Sequence, residues 1–293
     1  MPSSAPPRSP DFSARPTVAA AKAPPASTPG VGRSGSVRHR GRFGSRLNRW
    51  RRNSALNPYW LSHQSLTQAA RELAPLARGT LLDVGVAERP YAALFAPHVT
   101  QYFGLDYPPV LADKEPAFWS LLKRVRQSVD VFGDGQRLPV APNSVDTVLA
   151  TEVLEHLPDP ALCLREIHRV LRPGGKVLLT VPFQEPLHFL PQDYGRFTPT
   201  GLRALLANAG FEVEVLEPRG NSTLALGATL AQWILRAFAA RSQQADGSVI
   251  PSPWRLALLS PLIALVQIVF ALLARVIHDT SQPLGFRAVA RKR

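Results

Sequence analysis

Cysteine is nearly absent from this 293-residue chain: Cys163 stands alone, so no disulfide can form within it. Acidic residues are also scarce, 21 against 34 Lys and Arg, for a formal charge of +13. The deficit is local. Residues 1–52 carry ten Arg and one Lys against the single Asp11, and the other 241 residues net only +3. That first stretch has almost no large apolar side chains before Phe43 and has no apolar run of the kind that marks a secretory signal. It is rich in Pro, Ser, Ala and Gly, cannot bury enough surface to offset its ordering entropy, and is expected to be a disordered basic tail. The seven His are scattered, and no segment shows metal-ligand spacing, so no metal is expected.

What is present is an alternation of short apolar runs and helical patterns, the signature of an α/β sheet. Thr80–Val84 reads as a buried parallel strand, and Gly85 follows where the chain must turn. Tyr102–Leu105 is a second strand, ending at Asp106. An acid about 20 residues after a glycine turn suits a ribose diol. Strands follow at Val129–Phe132, Val145–Ala150 and Lys176–Val181. Asp159 and Pro160 open a helix whose stripe is Leu164, Ile167 and Val170-Leu171, and Arg172-Pro173-Gly174-Gly175 stops it. Cys163 falls inside that helix as a small core residue. A Thr200–Ala209 helix closes on Gly210, and Phe211–Leu216 alternates as a sixth strand.

Read together, LLDVGVAERPY, YFGLDY, VFGDGQRLPVAPNSVDTVLATEVLEHLPDP and LREIHRVLRPGGKVLLTVPF resemble the class I S-adenosylmethionine-dependent methyltransferases of the type 11 group. The resemblance covers residues 78–217, with a last strand at 284–290. It implies an α/β fold, a doubly wound seven-stranded Rossmann-like sheet whose last strand is antiparallel. It implies S-adenosyl-L-methionine as cofactor. Asp106 would hold the ribose hydroxyls. Asp134 would accept from the adenine amino group, with the Gly135 and Gln136 backbone nearby. Gly85 would face the methionine moiety, and Asp83, Ala87 and Glu152 complete the cofactor set. Ala87 stands where the family usually carries its second glycine. His156, in the recurrent Glu-His-Leu element, would frame the cofactor pocket.

After the fifth strand, His188, Asp193, Tyr194 and Arg196 cluster in nine residues. The segment resembles the H-x-x-P-x-D-Y-x-R-F-T stretch of bacterial methyltransferases tied to glycan and lipid biosynthesis. Methyl transfer to oxygen needs a group that removes a proton, and imidazole changes charge near neutral pH. His188 is the first candidate catalytic base and Asp193 the second. Arg196 would fix an anionic group of the substrate, with Tyr194 beside it. Asp193, Tyr194, Arg196 and Thr198 would equally serve to brace the loop and cap the next helix.

Between the sixth strand and a seventh at Gly285–Ala290 lies a long apolar insertion, residues 222–278. Leu256–Ala274 is 19 residues without a charge, which reaches transmembrane length. Strands six and seven share one sheet, so the insertion must leave and return, as a hairpin of helices at 222–240 and 254–277, with Pro261 as a possible break. Trp233 and Trp254 suit headgroup level. The alternative is a cap packed on the protein itself. The chain thus divides into a tail (1–52), a methyltransferase domain (53–221), the insertion (222–278) and a last strand (279–293).

The expected protein is a peripheral membrane enzyme on the cytoplasmic side, anchored by the basic tail and the insertion to anionic lipid. It would methylate a small-molecule, lipid-linked, quinone-like or glycan acceptor. Two readings stand beside it: a non-catalytic scaffold of the same fold, and an RNA methyltransferase. The second is disfavoured by the near-neutral residues 53–293, so nucleic acid is not the expected partner. Oligomeric state is left open. Phe118, Leu121, Leu122 and Val125 suggest a further amphipathic helix.

Overall fold

The computed structural model describes residues 54–107 and 128–293. The basic tail and the helix expected around Phe118 lie outside them. Helix α1 (Trp60–Leu73) leads into strand β1 (Thr80–Val84), a short helix α2 (Ala92–Phe95), β2 (Gln101–Asp106), β3 (Val131–Phe132) and β4 (Val145–Thr151). Helix α3 (Pro160–Val170), β5 (Leu171–Pro182), α4 (Pro199–Asn208) and β6 (Phe211–Arg219) follow. Then come α5 (Ser222–Ile234), a hairpin of β7 (Ala240–Gln243) and β8 (Val249–Pro251), α6 (Pro253–Leu273) and β9 (Gly285–Lys292).

Seven strands form one sheet in the order β3-β2-β1-β4-β5-β9-β6. All pairings are parallel except those of β9, which runs antiparallel to both β5 and β6. The doubly wound sheet with an antiparallel last strand is thus as expected. Its two faces follow from the two-residue period of a strand. Leu82, Val84, Val148, Ala150, Val177 and Leu179 pack with α3 and α4 on one face. Leu81, Leu149, Leu178 and Val289 pack with α1 and Phe95 on the other. A strand buried on both sides has no polar face, which is why these runs read as continuous apolar stretches.

Local signals fix the helices. Asp159 accepts from the Leu162 N–H at 2.9 Å and Thr198 from the Gly201 N–H at 3.1 Å, capping α3 and α4. Cys163 is fully buried. Strand β5 starts earlier than its apolar run: Leu171 already pairs with Val145, and a bulge absorbs Arg172 to Gly175 before Lys176 pairs with Thr147.

The insertion forms two helices joined by the β7–β8 hairpin. Pro261 lies inside α6 without ending it. The helices cross closely at Gly227, where a Cβ would fall 2.4 Å from the Phe270 Cβ. Ile263 and Gln267 are the buried residues of α6. Gln267 accepts from the Leu61 N–H at 3.2 Å and donates to Ala55 O and Asn57 O, both at 2.8 Å. That amide pins the helix to the domain by one face. The opposite stripe, Leu258, Leu262, Leu265, Val269 and Leu272, is exposed by 41 to 72%.

Candidate active site

Strand order reverses between β1 and β4, so a crevice opens at their carboxyl ends, where ligands bind in open α/β sheets. Every expected cofactor residue falls on this edge. Gly85 follows β1 with φ +73°, and a Cβ there would lie 2.6 Å from Val153 Cγ2. The Gly85 and Val86 N–H groups donate to Leu105 O at 2.8 and 3.1 Å, which ties the turn to β2. Ala87 sits in the left-handed region, φ +46°, and its N–H donates to Asp106 Oδ2 at 2.8 Å. The Tyr107 N–H donates to Asp106 Oδ1 at 2.8 Å. Each oxygen keeps a lone pair for a further donor such as a ribose hydroxyl. Burial nonetheless leaves the Asp106 carboxyl above its usual range.

Asp83 is buried behind the turn and accepts from the Tyr102 hydroxyl. Burial pushes its carboxyl up to about 7, and its Oδ1 has no hydrogen-bond partner. Arg89 lies over the Tyr102 ring at 5.6 Å and pairs with Asp130. Asp134 Oδ1 accepts from the Gln136 N–H at 2.8 Å, shaping the turn that carries Gly135 past β3. Gln136 Oε1 in turn accepts from the Asp159 N–H at 3.1 Å. These residues fit a nucleoside whose base and ribose present donors: two carboxylates in fixed backbone turns, on neighbouring strand ends, with free acceptor capacity.

Glu152 leaves β4 with φ +53°, and its Oε2 accepts from Arg219 at 3.0 Å. Arg219 ends β6 and is 4% exposed. This pair spans 67 residues of sequence, and its only sequence trace is a lone Arg closing a strand. Glu155 is fully buried, and neither of its oxygens has a hydrogen-bond partner. Burial, with Glu152 nearby, raises its carboxyl well above the ordinary range. Burial also lifts Glu185 to about 7.

The loop after β5 brings its cluster beside Glu155. Asp193 takes two bonds from the Arg196 fork, at 2.6 and 3.0 Å, and one from the His188 N–H at 3.1 Å. Burial would raise Asp193, but those donors outweigh it and hold the carboxyl below its usual range. Arg196 also donates to the carbonyls of Glu185 and Gly195, at 3.0 and 2.8 Å. Asp193 and Arg196 therefore brace the loop on each other. Tyr194 is half exposed, and its N–H donates to Glu155 O at 2.7 Å. The half-buried His188 places Nδ1 2.9 Å from Pro186 O. Its ring meets that of His156 edge-on, with centroids 4.9 Å apart.

Comparison with known proteins agrees with this geometry. Residues 82–179 match a family described as "Methyltransferase domain". An uncharacterized methyltransferase from Mycobacterium sp. (strain JLS) is 40% identical over 115 residues, 39% of this chain and 43% of that protein. The chain thus spans less than half the length of the first relatives it matches. A probable S-adenosylmethionine-dependent methyltransferase from Mycolicibacterium smegmatis is 32% identical over 225 residues, 72% of this chain and 80% of that one. A ubiquinone biosynthesis O-methyltransferase from Pseudomonas paraeruginosa is 28% identical over 186 residues, 56% of this chain and 78% of that one.

Proposed function

The chain belongs to the S-adenosylmethionine-dependent methyltransferases, and from that premise we propose that it methylates an oxygen of a lipid-linked, quinone-like or glycan acceptor at a membrane surface. The turn after β1, docked through the Ala87 N–H onto the acid that ends β2, carries the reading. It leaves Asp106 ready for the ribose hydroxyls and Asp134 for the adenine amino group, with the Gly135 and Gln136 backbone beside it. Gly85 gives the methionine moiety a close backbone approach, and Asp83 and Glu152 stiffen the crevice behind it. When bound, the cofactor supplies an electrophilic methyl on a sulfonium centre. The protein's own work is to orient the acceptor and exclude water.

His188 is the basic group on the acceptor side. A carbonyl can only accept, so the hydrogen on Nδ1 points at Pro186 O and Nε2 keeps its lone pair. That nitrogen can take the hydroxyl proton. Tyr194, exposed on the same loop, offers the acceptor a ring to lie against. Relatives named as ubiquinone biosynthesis O-methyltransferases support an oxygen acceptor.

The membrane setting rests on α6. Its outer stripe is apolar and exposed, with exposed Trp254 and Trp233 near one end. Arg255 and Arg275 flank its uncharged stretch, and the first 52 residues add a net charge of +10. Apolar area together with positive charge suits an anionic lipid surface. Gln267 and Ile263 hold the other face to the domain, which supports a helix lying in the interface over one that spans, in a peripheral protein that the proposal sets on the cytoplasmic side. Incubation with methyl-labelled cofactor and a membrane lipid extract tests the acceptor class. Label is expected in the organic phase. Label found only in the aqueous phase would contradict it.

A further inference from the structure

The crevice gathers more negative groups than the methyl-transfer reading assigns a role. Glu152, Glu155, Glu185 and Asp193 gather around two guanidiniums, Arg196 and Arg219. Arg219 pairs with Glu152 and Arg196 with Asp193. Glu155 is left fully buried with both oxygens unpartnered. A buried carboxylate is costly unless it is protonated, paired or bound to a cation.

Two imidazoles stand next to it. One ligand-competent atom from each of Glu155, His156 and His188 lies within 4.8 Å of the others. His156 Nε2 is 3.7 Å from Glu155 Oε1. Both rings are set in the same way. His156 Nδ1 meets Gln192 O at 2.6 Å, and His188 Nδ1 meets Pro186 O at 2.9 Å. Each Nδ1 therefore carries the hydrogen, and each Nε2 carries a lone pair. A backbone carbonyl that fixes the tautomer is the usual outer support of a metal-bound histidine. Phe189 packs against both rings, with centroids at 5.4 Å, and limits their rotation.

We infer that Glu155, His156 and His188 form a binding site for one divalent transition-metal cation. Two neutral imidazoles and one carboxylate suit Zn²⁺, Co²⁺ or Fe²⁺ over Mg²⁺, which prefers oxygen ligands. Bonds near 2.1 Å require the three atoms to close to roughly 3.5 Å, a small side-chain rotation. The His side chains are 23 and 27% exposed, so an ion can enter and keeps open positions toward the acceptor side. The inference deepens the acceptor site proposed above and rests on that reading for its role. With the ion bound, the His188 Nε2 lone pair is taken by the metal, so His188 is a ligand in place of the base, and the acceptor's proton, made more acidic by the ion's charge, leaves to water.

The full chain, stripped with a chelator, is titrated with Co²⁺ and followed by visible absorption. One equivalent should produce ligand-field bands, which Zn²⁺ abolishes and Mg²⁺ does not. Glu155→Gln and His188→Ala, shown folded by circular dichroism, should each weaken Co²⁺ binding by more than about tenfold. His278→Ala should leave it unchanged. A folded wild type with no saturable bands, or unchanged affinity in both variants, overturns the inference. Should a variant not fold, diethyl pyrocarbonate labelling of wild type decides: Zn²⁺ must shield His156 and His188, and equal labelling with and without Zn²⁺ overturns it. Neither Glu155 nor His188 belongs to the cofactor set, so failure of metal binding with retained cofactor binding sinks this inference alone.

Discussion

The Ala87 N–H donates to Asp106 Oδ2 at 2.8 Å, so the turn that ends β1 and the acid that ends β2 are one unit. Ala87 makes that bond at φ +46°, where an L side chain is strained. The methyl itself is exposed and blocks nothing in the fold.

Ala87→Gly should therefore stabilise the protein by about 1 kcal/mol, the left-handed penalty less glycine's greater entropy loss on folding. Cofactor affinity should be kept or improved. Urea denaturation and cofactor titration measure the two effects. A variant that folds and no longer binds the cofactor would mean that the methyl group is itself a contact.

Asp83 gives a pH signature. Burial raises its carboxyl to about 7 in the fold, while the unfolded chain releases that proton near pH 4. The folded state thus holds the proton more tightly. The resulting stability is full below about pH 4, falls as the pH rises, and is lost above about 7. Asp83→Asn keeps an acceptor for the Tyr102 hydroxyl and removes the titration. At pH 8 it should be more stable than wild type by up to about 4 kcal/mol, and at pH 4 nearly equal to it. A stability difference that stays flat between pH 4 and 8 would contradict this.

Helix α6 predicts vesicle binding. The protein should sediment with anionic vesicles, and removal of residues 1–52 should weaken this most at low salt, where charge is least screened. Leu262→Glu with Leu265→Glu should release it while leaving the melting temperature nearly unchanged, since both side chains are exposed. Wild type that stays in the supernatant at low salt, or charged variants that still sediment, would overturn the lipid assignment.

Much of this was legible in the chain because it is encoded locally. The Gly85 turn, the acid after it, the Asp159 and Thr198 caps and the apolar strands each need only a few neighbouring residues. What escaped depends on distant partners. Pro261 looked like a possible break, yet packing against α5 and α1 carries α6 through it. Gln267, one polar residue in an apolar run, is the rivet to the start of α1. Arg219 gains meaning only when β6 and β4 end at the same crevice. His156 and His188 are separated by β5, so neither has metal-ligand spacing in the sequence, and the fold sets one ring edge-on to the other.

The central claim is that the β1 turn and Asp106 form a cofactor site. Calorimetric titration of the wild type and Asp106→Ala with S-adenosylmethionine tests it most directly. Loss of a charged hydrogen-bond partner costs roughly 1.5–3 kcal/mol, so the variant should bind about tenfold or more weakly. Wild type that shows no heat of binding at millimolar cofactor, or a folded Asp106→Ala that binds as tightly as wild type, would contradict the account.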